Sequence, residues 1–294
     1  MHRSGFVALI GRPNVGKSTL INALLGEKVA IISDRPQTTR NKIRAILTRP
    51  EAQIIFIDTP GLHKPKHLLG KEMVKMAGST LQEVDLVAFI VEANERPGQG
   101  DRYIADLLNA AKCRLFLVLN KSDLATPGQL ARNSELYTEL CSFRASYALS
   151  ALKNENLEPF LLAAINHLPE GPQYYPPDLV TDQPERFIIS EIIREKIIML
   201  TRQEIPFSIA VVVEEMKLRE NKNLLDIRAE IFVERKSQVG IIVGKGGTLL
   251  KEVGIQARHE LEGLFGEQVF LDLRVKVKRD WRNREEELRR LGYR

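Results

Sequence analysis

"GRPNVGKST" (residues 11–19) is the stretch on which the reading of this 294-residue chain turns. It matches G-x-x-x-x-G-K-[ST] and lies between an apolar run, "FVALI" (6–10), and a helix-forming one, "LINALL" (20–25). A glycine-rich turn from strand to helix gathers backbone N–H groups around one concave space, and the helix N-terminus adds partial positive charge. Such a nest suits phosphate. Asn14, Val15, Gly16, Lys17, Ser18 and Thr19 are therefore expected to wrap a phosphate chain. Lys17 would neutralise the β- and γ-phosphates, and Ser18 would offer its hydroxyl to Mg²⁺. The competing reading is a tight turn with no ligand.

Outward from this loop, short apolar runs recur at "QIIFIDTPG" (53–61), "DLVAFIVEA" (85–93), "RLFLVLNKSD" (114–123) and "ASYALSA" (145–151). Each has a helix-length segment beside it. Apolar runs without polar alternation suit strands covered on both faces, which predicts a doubly wound, mostly parallel α/β domain of the P-loop type over residues 1–170. "KIRAILT" (42–48) stands only a short turn before residue 53, so it is expected to pair antiparallel as an added strand.

Three of these strands end in groups that complete a nucleotide site. Asp58 of "IDTPG" would reach Mg²⁺ through a water, and the Gly61 N–H would approach the γ-phosphate. "NKSD" (120–123) selects the base. The Asp123 carboxylate accepts two hydrogen bonds and so matches the paired N1–H and N2–H donors of guanine, whereas adenine would leave it unpaired. Asn120 and Lys121 would brace that loop and flank the base, and "SAL" (Ser150, Ala151, Leu152) would present a backbone N–H near Ala151 to the guanine O6. The polar stretch "SDRPQTTRNK" (33–42) has no period and reads as a loop ordered by γ-phosphate and metal. From it a hydroxyl of Thr39, in preference to Thr38, would complete the metal shell. Lys17, Thr39 and Gly61 form the expected catalytic set. A glutamine after D-x-x-G often orients the attacking water; here that position is Leu62, which cannot hydrogen-bond to it. Slow intrinsic hydrolysis follows, assisted by bound ions, the switch backbone or a partner. His63 reads as a solvated switch histidine rather than a base.

The α/β repeat stops at "LPEGPQYYPPDLVTDQPE" (168–185), a proline-rich stretch read as a connector over 171–184. Beyond it the order becomes helix (185–203), strands (207–218, 226–235), a short helix (237–243), a helix (248–264) and a strand (268–278). That α-β-β-α-α-β order predicts a separate α+β unit over 185–294. "GKGG" (244–247) lies between its two central helices. It lacks P-loop register but fits G-x-x-G, in which glycines let a single-stranded sugar–phosphate backbone approach the main chain. Gly244, Lys245, Gly246 and Gly247 are expected to meet RNA there. Arg274, Lys276 and Lys278 alternate with apolar residues along the last strand, and Arg279 continues the basic run into a C-terminal tail; together they are expected as phosphate contacts. A glycine-capped helical corner and a solvated sheet face are the bland alternatives.

Composition excludes more than it identifies. Lys and Arg number 43 against 38 Asp and Glu, a net +5. Residues 1–170 hold 21 against 17, so the excess marks neither half as the nucleic-acid binder. No apolar stretch approaches the ~20 residues of a membrane span. The opening "MHRSGFVALIG" enters a strand at once and predicts no leader. Two cysteines without metal spacing fit a reducing, cytoplasmic setting.

"GRPNVGKSTLIN", "QTTR", "DTPGLH", "NKSD" and "SAL", followed by "SEIIREKI", "VGKGG" and "VKVKRDW…LGYR", resemble the bacterial Era GTPases over nearly the whole chain. The resemblance implies a type II KH domain at 185–294. It also implies a GTP/GDP switch that acts in assembly of the small (30S) ribosomal subunit and binds the 3′ end of 16S ribosomal RNA. Asn14 would hold a stimulating K⁺, the protein would be a monomer, and a fraction would associate peripherally with the inner membrane face. The central pair of "GKGG" varies in that family. The rival function is a passive KH module with a structural guanine nucleotide and negligible turnover.

Overall fold

A computed structural model describes residues 1–32, 38–62, 65, 67–111, 113–201, 205–219 and 223–293. Two compact units divide them: one is drawn from 1–32, 39–66 and 70–182, the other from 38, 67–69 and 183–293.

The first unit is built on a six-stranded sheet. Its strands are β1 (Arg3–Ile10), β2 (Ile43–Arg49), β3 (Ala52–Asp58), β4 (Leu86–Glu92), β5 (Leu115–Asn120) and β6 (Ala145–Ala148), in the order β2-β3-β1-β4-β5-β6. All neighbours are parallel except β2 and β3, which pair antiparallel from Ile43↔Asp58 to Arg49↔Ala52. Because successive side chains point to opposite faces, each central strand feeds two cores. Val7, Leu9, Ala88, Ile90, Phe116 and Val118 pack with Leu20 and Ile21 of α1 (Lys17–Leu25) and with Phe160 and Ala164 of α5 (Leu157–His167). Ala8, Ile10, Phe89, Val91, Leu117 and Leu119 turn the other way. They meet Ala77 of α2 (Leu68–Thr80), Ile104 and Leu108 of α3 (Gln99–Ala111), and Tyr137 of α4 (Pro127–Thr138). The start of α4 is set by a capping box between Thr126 and Gln129 with Pro127 at the first helical position.

The proline-rich stretch is not a free connector. Through Asp182 it belongs to the first unit. Gln53, fully buried on β3, accepts from the backbone N–H groups of Tyr174 (2.7 Å) and Tyr175 (3.0 Å) and donates to the Tyr175 carbonyl (2.9 Å). Ile46 N–H donates to the Val180 carbonyl at 2.9 Å, Arg44 pairs with Asp182 at 2.7 Å, and Tyr174 stacks on Phe6. An irregular segment can lie against a sheet edge only if its backbone polar groups find partners, and Gln53 supplies three.

The second unit has a three-stranded sheet of β7 (Ala210–Arg219), β8 (Leu224–Val233) and β9 (Gln268–Val277), in that order. β7 and β8 are antiparallel, with a bulge between Val213 and Glu215, and β8 and β9 are parallel. α6 (Glu185–Leu200) and α9 (Thr248–Phe265) bury Ile189, Ile193, Ile197, Val253, Ala257 and Leu261 against the inner faces of the strands. The sequence places a strand from residue 207, but Ile205–Ser208 form a helical turn, α7. Pro206 fits the first turn of a helix and has no N–H to give a ladder. α8 (Lys236–Val243) precedes the glycine loop. The basic tail is folded rather than loose. Trp281 is fully buried, stacks on Tyr293 and donates from Nε1 to the Ser208 carbonyl at 3.0 Å, while Leu288 of α10 (Glu285–Arg290) is buried beside them.

Candidate functional site

The P-loop connects β1 to α1 through backbone conformations that favour glycine or asparagine. Gly16 has φ 94° and Asn14 has φ 67°. A Cβ on Gly16 would lie 2.2 Å from Asn120 Nδ2, so glycine is required there on two grounds. Lys17 is buried, and its ammonium donates to the carbonyls of Arg12 (2.9 Å) and Gly11 (3.2 Å). Burial pushes its pKa down to about 8, against the pull of the Asp58 carboxylate. The first turn of α1 contains no acidic residue to compete with an anion.

Beside the P-loop three oxygens converge, from the first turn of α1, the loop before β2 and the end of β3. Ser18 Oγ donates to Asp58 Oδ2 at 2.6 Å, Thr39 Oγ1 to the same oxygen at 3.1 Å, and the two hydroxyls are 3.0 Å apart. Of the two adjacent threonines, Thr39 is the one in this cluster. Asp58 is fully buried, which raises its pKa, with Lys17 and the two hydroxyls opposing the rise. Its second oxygen, Oδ1, is buried with no hydrogen-bond partner among the described residues. A carboxylate with one unpaired buried oxygen and two hydroxyls beside it is a donor set for a hard divalent cation such as Mg²⁺. The residues fit the ion.

Past Asp58, the D-x-x-G segment lies against the P-loop. A Cβ on Gly61 would lie 2.7 Å from Pro13 N and Cα, so only glycine permits the approach. Leu62 N–H donates to the Gly11 carbonyl at 3.1 Å, and its side chain is buried in the core with Ile10 and Ala77. The leucine is an anchor, not a group facing water. His63 and residues 33–37 lie outside the described residues.

The base-side motifs converge through Asn120. Its Nδ2 donates to the Val15 carbonyl at 2.8 Å, and its Oδ1 accepts from Ala151 N–H at 3.0 Å. One buried amide thus joins the P-loop, the end of β5 and the 150–152 loop. In this structure the Ala151 N–H, in the stretch expected to present a backbone donor to the guanine O6, donates to Asn120. Lys121, at φ 60°, donates to Glu92 at 2.6 Å. The Ser150 hydroxyl and then the Lys153 ammonium hold the Asp123 carboxyl below its ordinary range, which keeps it an acceptor. Leu152 is exposed beside it.

In the second unit, Gly244, Gly246 and Gly247 all have positive φ, at 74°, 62° and 82°. A Cβ on Gly244 would collide with Leu249 at 2.8 Å, whereas at Gly246 and Gly247 it would meet nothing within 4 Å. The loop is held by the first glycine and leaves open space along the other two. Exposed Lys245, with Lys236 on α8 and Lys251 on α9, has no ion-pair partner among the described residues. The strand cations differ. Arg274 pairs with Asp272 at 3.0 Å, Lys276 with Glu230, and Lys278 with Glu287 while lying over the Phe232 ring. Arg274's partner stands two residues away on the same strand, Lys276's across the sheet and Lys278's in the tail, so each of these cations already has a carboxylate beside it. Arg279 is exposed and unpaired among the described residues.

Known proteins share both halves of this arrangement. A family model described as a 50S ribosome-binding GTPase matches residues 6–121, and a KH-domain model matches residues 204–282. A crystal structure of Aquifex aeolicus Era bound to GDP·AlF4⁻ is 41% identical, covers 99% of each chain and superposes with a TM-score of 0.95. The chain belongs to the Era family. A second structure, Era in complex with MgGDPNP and nucleotides 1506–1542 of 16S ribosomal RNA, is 42% identical over 100% of this chain and 99% of that one, again with a TM-score of 0.95. As in Era, a P-loop GTPase domain with a mostly parallel sheet is followed by a C-terminal KH domain. Among the described residues no helix is long and apolar enough to cross a membrane.

Sequence reasoning missed several groups that set this Era-type site. Glu92 fixes Lys121, and Asp101 and Glu95 fix Arg12. Each partner is an ordinary acidic residue outside any motif, 29 to 89 positions from the group it holds. Nothing short-range in the sequence signals them.

Proposed function

We propose that this protein is a GTP-hydrolysing switch that binds the 3′ end of 16S ribosomal RNA through its KH unit and acts in assembly of the 30S subunit. The observation that carries the reading is one chain holding both a complete guanine-nucleotide site and an open G-x-x-G loop, over the full length of Era structures carrying MgGDPNP and that RNA.

Hydrolysis is positioning and electrostatics. The P-loop amides from Asn14 to Thr19 would cradle the phosphates, and Lys17 would place charge on the β- and γ-oxygens. Asp123 would read guanine with Asn120 and Lys121 bracing it. Ser18, Thr39 and, through a water, Asp58 would hold Mg²⁺, which when bound neutralises charge developing on the phosphates. The Gly61 N–H would meet the γ-phosphate. With Leu62 buried, no side chain at that position orients water, which supports a slow intrinsic rate. Asn14 stands exposed at the loop tip, and its role toward K⁺ rests on the family resemblance. So does peripheral association with the inner membrane face. A monomer in the reducing cytoplasm, with Cys113 and Cys141 both free thiols, completes the reading.

On the RNA side, Gly246 and Gly247 would admit the sugar–phosphate chain, and Lys245 and Arg279 would supply cations. Arg274, Lys276 and Lys278 would contribute only by exchanging their carboxylate partners for phosphate.

GTP turnover tests the enzymatic half. It should be slow in sodium and faster in potassium, with a further change on adding the 3′-terminal 16S oligonucleotide. Absence of turnover under every condition would overturn the switch and leave the passive KH module.

A further inference from the structure

Arg12 holds the second position of the P-loop, and the phosphate chemistry above makes no use of its side chain. The guanidinium reaches α3 instead. Nε donates to Asp101 Oδ1 at 2.9 Å and Nη2 to Glu95 Oε2 at 2.7 Å. Asp101 is fully buried in the first turn of α3, and its other oxygen accepts from Gly98 N–H at 2.9 Å. The Arg12 stem runs along Gly100, where a Cβ would come within 2.9 Å of Arg12 Cδ. The main chain of the same residue faces the phosphate site, for its carbonyl is the 2.9 Å acceptor of the Lys17 ammonium.

The two ends of Arg12 are thus mechanically joined. A buried carboxylate paired with a largely covered guanidinium is costly to break, because Asp101 would be left uncompensated. Holding the side chain therefore holds the peptide that orients Lys17. Glu95 is half exposed and adds little by itself. We propose that Arg12 is a positioning residue for GTP hydrolysis. Through Asp101 and the side-chain-free space at Gly100, it fixes the P-loop carbonyl that aims Lys17 at the β- and γ-phosphates. The inference rests on the reading of this pocket as a GTP site.

Gly100→Ala in the full chain tests it without touching the pocket. Alanine favours a helix over glycine, so the melting temperature should hold or rise while the added methyl displaces Arg12. GTP and GDP affinity should fall, and kcat with them, by roughly tenfold or more, the scale expected when a reacting group is misplaced by an ångström. GMP, which has no β-phosphate for Lys17 to meet, should bind within twofold of the parent. Arg12→Ala should reproduce the pattern, and Arg12→Lys should recover part of it. Unchanged GTP affinity and kcat in both Gly100→Ala and Arg12→Ala would overturn the proposal, as would equal loss of GMP and GTP, the mark of a structural role only. A parent protein that binds no GTP would instead overturn the underlying GTP-site reading.

Discussion

In the proposed site Asp123 and Asn120 would divide the work of recognising a base between one residue that reads and one that braces. Ser150 and then Lys153 hold the Asp123 carboxyl below its ordinary range, and it would meet two N–H donors with two lone-pair acceptors. Replacing one carboxylate oxygen with an amide removes an acceptor and points a donor at a donor. Losing one charge-assisted hydrogen bond and gaining a donor–donor clash, Asp123→Asn should weaken GTP binding by about 100-fold. The same change should improve binding of xanthosine triphosphate, which carries an acceptor where guanine has its amino group. Competition binding with the two triphosphates checks this; an unchanged preference for GTP would remove Asp123 from the role. The reader was legible in the sequence because "NKSD" follows an apolar strand. The brace was legible only as a motif letter. That one amide spans Val15 and Ala151 emerges only when 105 and 31 residues of separation close up.

At the scale of elements, motifs at strand ends were readable because a doubly wound sheet brings those ends to one edge. The strand–helix alternation, the antiparallel β2 and the α-β-β-α-α-β order all follow from periodicity that local sequence carries. What local sequence does not carry is the partner of an irregular or charged segment. Residues 171–182 looked like a tether because prolines break both periods, yet buried Gln53 satisfies their backbone. For Lys276 and Lys278 the carboxylate partners stand on β8 and in the tail, out of reach of a local reading, whereas Arg274 pairs with Asp272 on its own strand. The docked segment yields a direct prediction. Gln53→Leu strands the amides of Tyr174 and Tyr175, each costing about 1–3 kcal/mol if it stays buried, so residues 171–182 should peel away first. Limited proteolysis should then cut within that stretch in the variant and spare it in the parent. Equal protection in both would show that Gln53 does not hold the segment.

For the whole molecule, the two glycine loops solve different phosphate problems. The P-loop is tight, with Gly16 against Asn120 and Gly61 against Pro13 leaving no room for a side chain. "GKGG" does the reverse, fixing Gly244 against Leu249 while Gly246 and Gly247 keep their flank open. In the proposed function the first would enclose a small molecule and the second would let a polymer pass. The central claim is that the first governs the second, and a switch requires a coupling free energy between the sites, commonly 5- to 150-fold in affinity. The most direct measurement is the affinity of the full chain for the 3′-terminal 16S oligonucleotide, taken at one salt concentration with a non-hydrolysable GTP analogue bound and again with GDP. Binding should be at least fivefold tighter in the triphosphate state. Equal affinity in the two states would contradict that claim and leave a KH module that carries its nucleotide without consulting it.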